Sequence, residues 1–106
     1  MDRLVYRYNF AKHVPVDEIE DSLMIAALAA EALHGRAAMK QDASFCLNKK
    51  TRICVVDAET PVGCDIARIL TTFITKGYGE RAFTVERTEE QSGNGRLLCA
   101  IGALVL

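Results

Sequence analysis

The sequence predicts a small α+β domain in which two amphipathic helices alternate with four strands, and three observations carry that expectation. Residues 52–79, RICVVDAETPVGCDIARILTTFITKGYG, read in one run as strand, helix start, amphipathic helix and helix stop. Residues 3–10, RLVYRYNF, alternate between aromatic or aliphatic and polar positions, the pattern of a half-buried strand. Asn48, Lys49, Lys50 and Thr51 form a polar turn of hairpin length between two further strand-like runs.

In the central run, Ile53, Cys54, Val55 and Val56 are apolar and largely β-branched, which suits a mostly buried strand. Thr60 is placed to cap a helix, and Pro61 follows at the first helical position, where its missing N–H costs nothing. Val62, Ile66, Ile69, Leu70, Phe73 and Ile74 recur every three or four residues and predict one buried helix face. Gly77 and Gly79, on either side of Tyr78, supply the helix stop.

In the first strand Leu4, Tyr6, Tyr8 and Phe10 share a face, with the tyrosines expected to pack in the core and their hydroxyls to reach its edge. Lys12, His13 and Val14 lead to Pro15, and Asp17, Glu18 and Glu20 match the positive end of a helix that Gly35 terminates. Ile19, Leu23, Ala26, Ala30 and Leu33 are its expected core stripe. Met24, Ile25 and Leu28 lie off that stripe, and apolar surplus of this kind marks an interface unless another part of the chain covers it.

Alternation from 37 to 47 predicts a second strand, running antiparallel through the hairpin turn into residues 53–56. Residues 81–87 alternate as a fourth strand, with Phe83 and Val85 inward. Residues 89–96, EEQSGNGR, read as a polar break. Residues 97–106, LLCAIGALVL, are apolar almost throughout and are expected to form a further edge strand, a tail over the sheet or an arm onto a second subunit. The domain is thus expected over 1–90, with 91–106 as the break and apolar strand or arm of the same unit.

At 106 residues and a net charge of −1, one core is expected and no bulk attraction to nucleic acid or an acidic membrane is implied. Cys46, Cys54, Cys64 and Cys99 include no CxxC pair and have no histidine at zinc-ligand spacing, so no metal site and no cofactor are expected. Sparse cysteines and an N-terminus without a basic-then-apolar leader predict a cytoplasmic protein with free thiols. The apolar run at the carboxy end is about half the length that spans a membrane.

The order strand, helix, strand, strand, helix, strand resembles the ferredoxin-like α/β plait over residues 3–88. The resemblance implies an antiparallel four-stranded sheet with two helices on one face. It does not assign an activity, because unrelated functions share that architecture. Metallochaperone-like plaits carry a CxxC in the first loop, where this chain has Lys12, His13, Val14 and Pro15. RNA-recognition plaits need exposed aromatics on the third strand, where this chain has Arg52 through Val56. No arginine and asparagine pair can be placed as an acylphosphatase-like anion cradle. Regulatory amino-acid-binding plaits of the ACT-like kind and dimeric α+β-barrel proteins make the weakest sequence demands.

Among candidate chemical groups, Cys64 stands near a helix start, where the dipole favours a thiolate, yet only His13 and His34 are available as bases and both are distant in sequence. His34 is expected to cap the carbonyl end of the first helix. Asp57, Thr60 and Gly63 form a helix start able to hold a small anion or polar ligand, with capping as their ordinary role. The leading expectation is a non-catalytic binding or regulatory module that forms a homo-oligomer, a dimer favoured, through Met24, Ile25 and Leu28 and through Leu98, Ile101 and Leu104. It leaves room for a small ligand or protein partner. The alternative is a dimeric α+β-barrel-type enzyme using Cys64 or His13 between subunits. Nucleic-acid binding through Lys40, Lys49, Lys50 and Arg52 is a third and weaker possibility.

Overall fold

Alternate residues of an extended chain face opposite ways, and in the first strand, β1 (Asp2–Phe10), that rule puts Tyr8 and Phe10 in the core. The computed structural model describes residues 2–91. Within them β1 is followed by α1 (Val16–His34), α2 (Arg36–Asp42), β2 (Phe45–Asn48), β3 (Ile53–Asp57), α3 (Pro61–Tyr78), a 3-10 turn (Glu80–Ala82) and β4 (Phe83–Gln91). The described residues form a mixed α+β structure with one antiparallel four-stranded sheet in the order β2-β3-β1-β4 and three helices.

Register decides which side chains share a face. Tyr8 lies opposite Cys54 on β3 and Val85 on β4, and Cys54 opposite Leu47 on β2. Tyr8, Phe10, Phe45, Cys54 and Val56 join Ile19 and Leu23 of α1, Met39 of α2 and Ile66 and Leu70 of α3 in one buried cluster. Stacked and tilted ring contacts among Tyr8, Phe10 and Phe83 consolidate the β1–β4 end of it. The Tyr8 hydroxyl is satisfied inside the core, donating to Ala67 O at 3.0 Å and lying 2.8 Å from Thr71 Oγ1.

The caps of α3 follow the sequence expectation. Thr60 is extended at the N-cap and its hydroxyl accepts from Gly63 N at 3.0 Å, with Pro61 in the first turn. The stop falls at Gly79, whose φ of 88° is open to glycine and strained for other residues. Gly35, with φ of 89°, ends α1 the same way, its N–H returning to Glu31 O.

Several boundaries and faces differ from the sequence reading. Residues 36–42 form α2, so the strand expected over 37–47 shrinks to Phe45–Asn48. The alternation there was carried by alanines, which suit a helix as well as a strand, and Gly35 frees the backbone to begin a second helix in a new direction. Met39 is buried at the centre of that short helix. Leu33 was expected in the core of α1 and Phe73 in that of α3. They are 70% and 45% exposed, because each sits at a flank of its helix's buried stripe, and Ala27 is buried on α1 instead. β4 begins two residues later than expected and runs to Gln91, so the acidic residues read as the start of a polar break continue the strand beside β1. Val85 faces the helix side but stays 45% exposed, because among the described residues no helix covers β4 there.

Candidate functional site

Asp57, Thr60 and Gly63 are brought together where β3 hands over to α3. Asp57 is fully buried, its Oδ2 2.9 Å from Arg3 Nη2, while its Oδ1 accepts from Glu59 N at 3.2 Å. Thr60 Oγ1 lies within reach of both Asp42 O and Asp57 Oδ2, while accepting from Gly63 N. Gly63 sits so close to the strand that an added Cβ would lie 2.1 Å from Asp57 O. These donors are committed to holding the helix on the strand end, so the geometry is that of a structural joint.

Cys64, one residue further on, is half-buried with its Sγ 3.6 Å from Ala58 O. Its other contact is the Tyr6 hydroxyl, 4.0 Å away. Burial raises the Tyr6 hydroxyl above its ordinary pKa, the contact with Cys64 adds to that, and the charges of Arg87 and Arg68 pull the other way. Tyr6 is the direct cross-strand partner of Arg87, and Arg68 stands one helical turn beyond Cys64. The sequence reading missed this grouping. The four-residue spacing from Cys64 to Arg68 was visible, but only the β1–β4 register brings Arg87 to Tyr6.

His13 is exposed near the other end of α3, its ring 6.5 Å from that of Tyr78. At 1.5 Å per residue, Cys64 and Tyr78 are about 20 Å apart along the helix, so His13 and Cys64 do not form a base and nucleophile pair within one chain. His34 does not cap the carbonyl end of α1 with its ring. Its Nε2 is 2.7 Å from Asp65 Oδ2 and ties the last turn of α1 to the first turns of α3.

The cysteines divide by face. Cys46 pairs opposite Val55 and Cys54 opposite Leu47, so the two thiols lie on opposite sides of the hairpin. Cys54 and Cys64 are free, whereas Cys46 is disulfide-bonded, which corrects the expectation of free thiols at that position. Burial pushes the Cys54 thiol up to about 12, so it remains protonated and unreactive at neutral pH.

Met24, Ile25 and Leu28 are 40%, 45% and 49% exposed, side by side on the outer surface of α1. The other residues named for an interface, Leu98, Ile101 and Leu104, lie outside the described residues, as does the remainder of the expected strand or arm. Of the basic residues near the hairpin, which are exposed apart from the half-buried Arg52, Arg52 donates to the Val14 and Ala11 carbonyls and Lys49 to Glu20. Among the described residues no cluster of three or more His, Cys, Asp or Glu side chains is arranged to hold a metal ion, and no helix is long and apolar enough to cross a membrane. No protein-family model matches the chain, and no curated protein or solved structure matches it either.

Proposed function

We propose that the chain is a ferredoxin-like α/β plait that acts as a homodimeric, non-catalytic binding or regulatory module, with Met24, Ile25 and Leu28 of α1 in the contact. The strand order β2-β3-β1-β4, antiparallel throughout, is the order that two interleaved split βαβ units produce, and α2 is then an addition to that plan. The observation that carries the dimer is the group of three large apolar side chains left roughly half exposed on one helix surface.

Magnitudes limit what that group does alone. Covering the exposed part of each side chain is worth on the order of 1 kcal/mol, so six from two copies give about 6 kcal/mol. Association costs about 4–15 kcal/mol in lost freedom, so these residues are the centre of a contact that extends further. Sedimentation equilibrium tests the reading. A dimer that becomes a monomer in the Ile25→Glu/Leu28→Glu variant is the expected result, and a wild-type chain that stays monomeric at about 100 µM removes it.

The half-buried Cys64 beside Tyr6 favours a second reading, an enzyme of the dimeric α+β-barrel type with Cys64 or His13 in a cleft between subunits. Because His13 stands at the far end of α3, in this reading it meets Cys64 only across a subunit boundary. Alkylation of Cys64 no faster than that of an unstructured peptide thiol counts against this reading.

A further inference from the structure

The corner where α3 meets β1 and β4 holds a set of groups that neither the fold nor the proposed dimer uses. Tyr6 and Arg87 are cross-strand partners on the helix-side face of the sheet, and Val85, two residues from Arg87 on the same face, is exposed there. Cys64 and Arg68 approach from successive turns of α3, and the Tyr6 hydroxyl reaches the Cys64 sulfur. Both guanidinium charges act on that hydroxyl.

Two features say what is missing from this corner. Arg68 and Arg87 are exposed, and among the described residues neither is joined to a carboxylate. The Tyr6 hydroxyl has a poor partner: the Cys64 thiol donates to Ala58 O, and 4.0 Å to sulfur is a weak contact for a half-buried phenol. A negatively charged oxygen acceptor would satisfy both cations and the hydroxyl together. Glu89, opposite Leu4, shares the face one cross-strand pair beyond Arg87, and the Glu59 carboxylate accepts from Leu4 N, so two carboxylates stand beyond the corner without closing on either guanidinium group.

We propose that this corner is a binding site for a small oxyanion, a carboxylate or phosphate group, held by Arg68 and Arg87 with the Tyr6 hydroxyl donating to it and the Cys64 thiol beside it. Arg68 supplies charge from the helix, Arg87 from the edge strand, and the open face of β4 provides the entrance. The site does not require a second subunit, so it stands or falls separately from the proposed dimer.

Cys64 offers an internal reporter. Iodoacetate and iodoacetamide carry the same reactive carbon, one on an anion and one on a neutral amide, so their rate ratio at Cys64 reads anion recruitment and cancels changes in thiol ionisation. The ratio at Cys64, located by tandem mass spectrometry, is compared with that of an unstructured peptide containing one cysteine. The expected result is a shift of about fivefold toward iodoacetate, the scale of two solvent-screened charge interactions. Arg68→Gln/Arg87→Gln should abolish the shift, Arg68→Lys/Arg87→Lys should keep most of it, and inorganic phosphate should suppress it more than chloride of equal ionic strength. Circular dichroism confirms that each variant is folded. A ratio equal to that of the peptide overturns the proposal, and so does a preference that survives loss of both arginines, because the helix dipole would then be its source.

Discussion

Replacing Gly63 by alanine adds one methyl group at the joint on which α3 rests, and the structure fixes what that group meets. The new Cβ would stand 2.1 Å from Asp57 O, 3.0 Å from Asp57 C and 3.3 Å from Asp57 Cβ. The obstacle is backbone, held by Asp57 N donating to Ser44 O and Ala58 N donating to Leu4 O, so it cannot swing aside as a side chain would. Restoring ordinary contact requires a relative movement of about 1 Å, which disturbs the packing of Val62 and Ile66 in the following turn. Overpacking of this kind costs about 1–3 kcal/mol, and here the upper end applies because the clash is with rigid main chain. Alanine recovers about 0.5–1 kcal/mol through its better helix propensity. The net expectation is a loss of about 2 kcal/mol, or a fall of roughly 10 °C in Tm for a chain of this size.

Gly77 provides the control. It lies in the same helix with nothing within 4 Å of its added Cβ. Gly77→Ala is therefore expected to stabilise by about 0.5–1 kcal/mol. Urea unfolding followed by circular dichroism at 222 nm measures both, which suits a protein without tryptophan. A Gly63→Ala variant as stable as the parent, or the same effect at both positions, would refute the proposed close approach of helix and strand.

Three further predictions follow from the buried groups. Tyr8→Phe removes the hydrogen bonds to Ala67 O and Thr71 in a fully packed site and is expected to cost about 1 kcal/mol, with a double-mutant cycle against Thr71→Val isolating the Thr71 share. Thr60→Ala removes the cap of α3 and is expected to cost about 1 kcal/mol by the same urea assay, with no change in the slope of the transition. Alkaline stability follows from Cys54 and Tyr8, which burial pushes up to about 12 from ordinary values of 9.0 and 10.0. The unfolded chain loses these protons first, so the native state's advantage is complete below about pH 9 and declines as pH rises toward 12. Stability measured against pH should turn downward near 9, and Cys54→Ala should move that onset toward 10. An unchanged onset in the variant would count against the buried thiol as its cause.

The parts legible in the sequence were those in which several local signals agreed. In α3, a cap, a proline, an apolar period and a terminal glycine all specify the same helix, and of the two glycines read as its stop, Gly79 is the one that ends it. Where one weak signal stood alone, the reading failed. Alternation at 37–44 rested on Ala37, Met39 and Ala43, and the helix that occupies 36–42 buries Met39 while leaving Ala37 exposed. The stripes on α1 and α3 identified the centre of each buried face but not its edges, because the exposure of Leu33 and Phe73 depends on where the neighbouring elements end. Candidate-site residues divided in the same way. Asp57, Thr60 and Gly63 were found together because they are local in sequence, whereas the meeting of Tyr6, Cys64, Arg68 and Arg87 depends on strand register and on where α3 lies, neither of which a local pattern specifies. Register also separated Cys46 from Cys54, a question the hairpin length alone left open.

Methyl NMR of a methionine-labelled sample gives the most direct test of self-association through α1, because the chain carries its own reference. Met24 sits in the exposed apolar group, whereas Met39 is already buried in the core. The proposed dimer predicts that the Met24 methyl resonance shifts or broadens as the protein is concentrated from about 5 to about 500 µM, while that of Met39 stays in place. A Met24 resonance that is unchanged across this range in a sample that sediments as a monomer would contradict the account.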